Sequence, residues 1–278
     1  MSLTISSLNS GSNGNCYYIG NETEAVLIDA GISCRETEKR MKRLGLEIKK
    51  IKAIFISHEH KDHISGMALL SKKFQLPVYI TEATHKQSGI ILEKHLICRF
   101  SENRPVQIGN LIIRSFKKFH DAGDPHSFTI SSGQVTVGVF TDIGTVCKKM
   151  IQHFSKCHAA FLEANYDEDM LMNGSYPYIL KKRISDGHGH LSNDEALELF
   201  AKHKPGFMSH LILSHLSKNN NTPELVNDLF TAHANGVKII VASRYEETRL
   251  YAIGTNTFSF PAQRKKLIPD KHKQLSLF

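Results

Sequence analysis

Ser57-His58-Glu59-His60-Lys61-Asp62-His63, placed directly after the apolar run Ile51 to Ile56 and just ahead of Ser65-Gly66, is the stretch on which the fold turns. It sets four possible metal ligands, His58, His60, Asp62 and His63, within six residues. Imidazole and carboxylate without thiolate suit a divalent cation such as zinc, manganese or iron, and a ligand set that is only partly filled leaves room for a reactive water. From an extended loop, His58 and His60 can point one way while Asp62 and His63 aim elsewhere, so one short segment can begin two neighbouring metal sites. Polar residues just past an apolar strand are also where α/β folds keep their chemistry.

Upstream, Leu3 to Leu8, Cys16 to Ile19 and Ala25 to Asp29 read as strands of a meander. The first two are joined by Asn9-Ser10-Gly11-Ser12-Asn13-Gly14-Asn15, whose residues tolerate unusual backbone angles. The turn reads as a tight hairpin, and its NH groups and hydroxyls also suit a phosphate. Ser33-Cys34-Arg35-Glu36 predicts a capping box and a helix over Cys34 to Leu44. Ala53 to Ile56 then forms a short buried strand that delivers the histidine cluster. Residues 64–74 read as helix, Val78 to Ile80 as strand, and Thr81 as the start of another helix.

Further on, Leu111 to Phe116, Phe128 to Ser131 and Gln134 to Phe140 have the β-branched and aromatic character of strands. His120 and Asp142 follow two of these runs, as His215 follows the strand Leu211 to Ser214. A helix is expected from Gly144 to about Gln152, and a strand His158 to Glu163 closes on Glu163-Ala164-Asn165. Ser192-Asn193-Asp194-Glu195 predicts a second capping box with a helix to Lys202, and Thr222-Pro223 opens a helix to about Ala234. Val237 to Val241 and Leu250 to Ile253 close the pattern. Alternating strands and helices with an antiparallel start predict an α/β chain with mixed sheets. No linker or repeat divides it, so one domain over residues 1–260 followed by a tail over 261–278 is expected.

With 278 residues, 41% hydrophobic and 22% charged, the chain has the composition of a globular protein able to bury a sizeable core. It has neither a signal-like start nor a run of about 18 apolar residues, and a cytoplasmic enzyme is the expectation. Cys16, Cys34, Cys98, Cys147 and Cys157 are odd in number and never spaced as CxxC, which argues against a disulfide framework and against a thiolate zinc site. They are expected to be reduced and mostly buried. A formal charge of +8 favours polyanionic partners.

The run His58-x-His60-x-Asp62-His63, with His120, Asp142 and His215 each placed after a strand, resembles the metallo-β-lactamase superfamily. Finer motifs resemble its YycJ (WalJ) branch: Ser10-Gly11-Ser12-Asn13-Gly14-Asn15-Cys16, Leu162-Glu163-Ala164-Asn165, Gly189-His190-Leu191-Ser192-Asn193 and His215-Leu216-Ser217-Lys218-Asn219-Asn220. The resemblance implies a four-layer αββα sandwich of two mixed sheets with two divalent metal ions at one edge. Carried over by residue, it implies that His58, His60 and His120 hold one ion, that Asp62, His63 and His215 hold the other, and that Asp142 bridges them. Asp62 is further expected to orient the bridging water or take its proton. His190 resembles the proton-donating histidine of tRNase Z-like phosphodiesterases, and Glu163 its orienting partner. His188 and His210 rank below these. Substrate contacts are expected from Ser12, Asn13, Asn165, Ser192, Ser217, Lys218 and Asn220.

The function implied is hydrolysis of a phosphodiester in nucleic acid, by a DNA exonuclease of 5′ to 3′ polarity serving repair or replication. Two alternatives stay open: an RNA-processing nuclease, and a thioesterase- or lactonase-type hydrolase of the same fold. The second is disfavoured because aromatic residues are only 8% of the chain. The tail carries the basic runs Gln263-Arg264-Lys265-Lys266 and Lys271-His272-Lys273 and then Gln274-Leu275-Ser276-Leu277-Phe278. At all five positions this last segment resembles the peptide by which bacterial DNA polymerases and repair proteins bind the sliding clamp.

Overall fold

The computed structural model describes residues 2–102 and 104–254. The tail, with the clamp-like Gln274 to Phe278, lies outside the described residues, as does the end of the expected domain at residue 260.

Among the described residues, fourteen strands form two seven-stranded mixed sheets. The first holds β1 (Leu3–Asn9), β2 (Cys16–Gly20), β3 (Ala25–Ile28), β4 (Ile51–Phe55), β5 (Val78–Tyr79) and β6 (Ile97–Cys98) in sequence order. The second holds β7 (Val106–Ile108), β8 (Leu111–Lys117), β9 (His126–Ser132), β10 (Val135–Phe140), β11 (Ala159–Glu163), β12 (His210–Ser214) and β13 (Lys238–Val241), while β14 (Tyr251–Ile253) returns to pair with β1. Each sheet begins with antiparallel hairpins and continues with parallel strands, from β3 to β6 and from β10 to β13. The mixed α/β pattern expected from the sequence is therefore present, together with short elements the sequence did not signal: β6, β7 and the helices Glu168–Asn173 and Tyr178–Ser185.

Alternation along the strands builds the layers, because successive side chains leave a strand on opposite faces. Tyr17, Ile19, Val26, Ile28 and Phe55 meet Phe128, Ile130, Val137, Val139 and Phe161 between the sheets. Tyr17 and Phe161 touch across this layer with ring centroids 4.9 Å apart. Tyr18, Leu27 and Ile54 face the other way and are covered by α1 (Cys34–Arg43), with α2 (Lys61–Ile64), α3 (Met67–Phe74) and α4 (Glu82–Ser88) on the same side of the chain's first half. In the second half come α5 (Lys148–Phe154), α6 (Glu168–Asn173), α7 (Tyr178–Ser185), α8 (Asn193–His203) and α9 (Pro223–Thr231). Phe140, Leu162 and Leu213 pack there against Phe154, Leu199, Phe200, Val226 and Phe230. Three apolar clusters thus separate four layers, the αββα arrangement.

Two local readings are corrected. Residues 64–74 are not one helix: it breaks at Ser65-Gly66, because Gly66 lies so close to the chain that a Cβ there would stand 1.9 Å from the Ile32 carbonyl oxygen. At α1 the capping box is half made. Ser33 accepts from the Glu36 NH, but Glu36 accepts from Arg40 Nε (3.0 Å) instead of reaching back. The second box, Ser192 with Glu195, is complete. All five cysteines are free, and three are buried. Among the described residues no helix is long and apolar enough to cross a membrane.

Candidate metal centre

Parallel strands bring their C-terminal ends to one edge, and that edge carries the site. β3 ends in Asp29, β4 in Ser57-His58, β10 in Asp142, β11 in Glu163 and β12 in His215; β8, two antiparallel steps from β10, runs the same way and ends towards His120. Asp29, Asp142 and His215 adopt left-handed backbone, with φ of 61°, 55° and 56°. Asp and His tolerate that region better than most residues, and such turns cluster where a side chain must be re-aimed at a site. Asp62 and His63 sit on the helical turn α2 and not in an extended loop, which swings them away from His58 and His60.

Two groups of ligand atoms result. In the first, His60 Nδ1 lies 3.1 Å from His58 Nε2 and 3.2 Å from His120 Nε2. Nitrogens at 2.0–2.1 Å from one tetrahedral zinc stand about 3.3 Å apart, so this spacing is that of three ligands around one ion. In the second, Asp62 Oδ2 lies 3.4 Å from both His63 Nε2 and His215 Nε2. Asp142 stands between the groups: Oδ2 is 3.1 Å from His63 Nε2, while Oδ1 is 3.9 Å from His120 Nε2 and 3.4 Å from His215 Nδ1. All seven residues singled out as ligands are therefore gathered, in two clusters.

The residues fit a pair of cations by a further test. Four of the five imidazoles spend their outer nitrogen on the protein: His58 on Ser57 Oγ (2.9 Å), His63 on Asp29 Oδ2 (2.7 Å), His120 on the Gly189 carbonyl (2.9 Å) and His215 on Glu163 Oε1 (2.9 Å). Such bonds fix the tautomer and leave the inner nitrogen with a lone pair for a metal. Asp142 Oδ2 and His215 Nε2 are buried with no hydrogen-bond partner among the described residues, a cost that a cation removes.

The model of the metallo-β-lactamase superfamily matches residues 10–91. The chain is 35% identical over 230 residues to "Exodeoxyribonuclease YycJ" of Bacillus anthracis, covering 81% of this chain and 86% of that protein. "Exodeoxyribonuclease WalJ" of Streptococcus pneumoniae is 32% identical over 79% of this chain and 84% of its own. The chain belongs to the metallo-β-lactamase superfamily, in its YycJ/WalJ branch. Among solved structures, the metallo-β-lactamase fold protein YhfI of Bacillus subtilis superposes with a TM-score of 0.71 at 17% identity, covering 91% of this chain and all of that one, a likeness of fold. As a member of the superfamily the protein is a metal-dependent hydrolase.

The electrostatics of this metallo-β-lactamase site favour positive charge. Burial pushes the Asp142 carboxyl up, but His215, His63 and Lys118 outweigh it and hold the group well below the usual carboxylate range. Glu163 is likewise pushed up by burial and pulled down further by His190 and His215, to about 2. Burial disfavours a proton on His215, yet Asp142, Asp62 and Glu163 raise it to about 10, and Asp142, Asp29 and Asp62 raise His63 in the same way. The carboxylates that increase the affinity of these imidazoles for a proton increase it for any cation. His58 and His120, in the other cluster, are lowered by burial, His120 to about 4, and stay neutral as ligation requires.

Around this core, a cavity of about 200 Å³ is lined by His60, His190 and His215 with Ser12, Asn165 and Ser217. His190 Nδ1 meets Glu163 Oε1 at 2.9 Å, the pairing the resemblance implies. Glu163 does more than that pairing: the same oxygen serves His215, and Oε2 accepts from the NH groups of Ile143 (2.6 Å) and Leu191 (3.2 Å). Three expected substrate contacts lie elsewhere. Ser192 is fully buried with its hydroxyl capping α8, Asn220 is buried against Ser217 Oγ, and Asn13 donates to the Arg244 carbonyl (2.8 Å). Lys218 lines a second cavity next to the first. His188 is exposed and His210 packs on Tyr251, both away from the ligand atoms.

Sequence reasoning missed Asp29, Asn15, Lys118 and the pair Asp121–Arg183. Asn15 Nδ2 reaches Asp62 Oδ2 (3.0 Å) and His63 Nε2 (3.1 Å), and the buried Lys118 ammonium donates to the Thr141 carbonyl (2.6 Å) beside Asp142. Arg183 of α7 pairs with Asp121 (2.6 Å), whose Oδ1 is 3.4 Å from His120 Nε2. Asp29 was open to discovery, since it ends an apolar strand as Asp142 and His215 do. The others carry no such signal.

Proposed function

We propose that this hydrolase cleaves phosphodiester bonds of nucleic acid as a DNA exonuclease of 5′ to 3′ polarity, in repair or replication and hence in the cytoplasm. The observation that carries the reading is the pair of triads sharing Asp142, in a chain of charge +8 whose relatives in the branch are named exodeoxyribonucleases. His58, His60 and His120 would hold one ion, Asp62, His63 and His215 the other, and Asp142 both. Zinc, manganese or iron so bound supplies a hydroxide near neutral pH and neutralises charge on phosphoryl oxygens. Five neutral imidazoles and two carboxylates leave the occupied site cationic, which suits an anionic diester better than a neutral amide or thioester.

The chain's own groups do the rest. The Asp62 carboxyl is pushed up by burial but held low by the adjacent imidazoles of His63 and His215, so it is a weak base and orients the attacking water. His190, its Nδ1 fixed on Glu163, presents Nε2 to the cavity and protonates the leaving alkoxide, while Glu163 balances the imidazolium charge. Ser12, Asn165 and Ser217 line the cavity where the diester sits. Residues 1–260 form the catalytic domain in this reading, and Gln274 to Phe278 dock on the sliding clamp.

End-labelled 5′ and 3′ substrates of DNA and RNA, assayed across a metal series, test the reading. DNA should be shortened from its 5′ end, and His58→Ala and Asp142→Ala should abolish this; undiminished activity in those variants would sink it. Preference for RNA would favour the processing alternative, which the His190–Glu163 pair supports. His190→Ala should lose roughly 10²–10⁴-fold on alkoxide leaving groups and far less on p-nitrophenolate, which needs no proton.

A further inference from the structure

Beside the metal cavity lies a second of about 330 Å³, lined by Leu216, Pro223, Val241 and Ala242 and rimmed by Lys218, Arg244 and Tyr245. The two share Ser217. Their adjacency follows from topology: β10, β11 and β12 end in Asp142, Glu163 and His215, and β13, next in the same parallel row, ends in the segment that carries Ser243-Arg244-Tyr245. A strand of nucleic acid whose diester lies over the metals must continue into a neighbouring space, and this one adjoins the site at Ser217.

Its lining matches one nucleoside with its phosphate. Arg244 is held across the groove, Nη2 donating to the Leu216 carbonyl (2.8 Å) and its own carbonyl accepting from Asn13 Nδ2 (2.8 Å). Its stem lies against Gly11, where a Cβ would come within 3.0 Å of Nη2. Among the described residues neither Arg244 nor Lys218 pairs with a carboxylate, whereas other cations of the chain, such as Arg43 and Arg183, do. Two basic groups with no acidic partner on an apolar floor suit a phosphate attached to something flat and apolar. Tyr245 supplies the flat partner. It is 73% exposed, yet its backbone is pinned by Arg40 Nη2 on its carbonyl (3.0 Å) and by Ser243 Oγ on its NH (3.0 Å). An exposed ring on a fixed backbone has little cost as a stacking surface and no role in the core.

We propose that this second cavity is the subsite for the nucleotide adjoining the scissile phosphodiester, with Lys218 and Arg244 on its phosphate and Tyr245 stacked on its base. The assignment rests on the nuclease reading and adds where the strand runs. Stacking on an aromatic side chain tolerates any base, so the subsite takes unpaired strand without sequence preference.

Oligonucleotides that are intact, or abasic one position to either side of the terminal bond, separate the two ideas. The parent protein should degrade the intact strand with a KM about 10-fold below that of one abasic substrate. Tyr245→Ala should raise KM on the intact strand to the abasic value, show no further loss on the abasic strand, and keep kcat within about threefold; Tyr245→Trp should restore discrimination. Lys218→Ala should lower the slope of log KM against log salt by about one. If the parent degrades DNA or RNA but Tyr245→Ala discriminates between intact and abasic strands as the parent does, the subsite is wrong and the nuclease reading stands. If the parent hydrolyses bis(p-nitrophenyl) phosphate but no nucleic acid, both fall.

Discussion

Asp29 is the residue whose replacement reports most on the metal centre, because it orients one histidine of each triad. Its carboxylate accepts from the Ser57 NH (2.8 Å), from Ser57 Oγ (2.9 Å) and from His63 Nδ1 (2.7 Å), entirely shielded from solvent. A carboxylate only accepts, so the Ser57 hydroxyl points its proton at Asp29 and must itself accept from His58 Nδ1. The relay fixes His63 directly and His58 through Ser57, each with Nε2 turned inward. Asp29→Asn leaves one acceptor oxygen for three donors and brings an NH2 group into their midst. At least one buried donor loses its partner, at a cost of about 1–3 kcal/mol in stability. Loss of an outer-sphere partner weakens a metal by about 10–100-fold, or roughly 1.4–2.7 kcal/mol. We expect the site of Asp62, His63 and His215 to weaken by that factor and that of His58, His60 and His120 by less. Ser57→Ala should affect the second of these more than the first. Zinc titration against a chromogenic chelator reads both sites, and thermal unfolding verifies that the variant is folded. A folded Asp29→Asn protein that binds both ions as the parent does would refute the relay.

Two further outcomes follow from the geometry. Gly31 packs its backbone on α2, where a Cβ would stand 1.6 Å from the Asp62 carbonyl oxygen and 2.6 Å from the Asn15 NH, so Gly31→Ala must push Asp62 aside. A displacement of about 1 Å at a catalytic group costs on the order of 100-fold in rate; a variant with parental turnover would show that Asp62 does not need this placement. His210, remote from the metals and beside Lys238 and Arg249, has its pKa pulled down to about 4, first by burial and then by those charges. The unfolded imidazole titrates near 6.5, so between pH 6.5 and 4 the unfolded chain takes up a proton that the folded chain refuses, and stability is lost as pH falls through that window. For this half-buried ring the loss is about 1–2 kcal/mol. Melting temperatures from pH 7.5 down to 4.5 should therefore fall less steeply in His210→Gln than in the parent, and parallel curves would dismiss the effect.

The candidate ligands were legible partly from local pattern and partly from resemblance. His58, His60, Asp62 and His63 are packed into six residues, and His120, Asp142 and His215 each follow an apolar strand, but it was the resemblance to the metallo-β-lactamase superfamily that joined them into one ligand set. Strands of both sheets were legible as well, Cys16 to Ile19 and Gln134 to Phe140 among them. Tertiary structure decided what depends on contacts between segments far apart in the chain. Only folding makes Glu163 the shared partner of His190 and His215, 27 and 52 residues away, and only folding brings Asp29 beneath His63. It also took Ser192 and Asn220 out of reach of substrate, since a helix cap and a loop staple use the same hydroxyl and amide that a phosphate would. Arg244 and Tyr245 stand near the candidate ligand cluster because β13 is the next strand in the parallel row, a neighbour relation fixed by sheet order and absent from the spacing of residues along the chain.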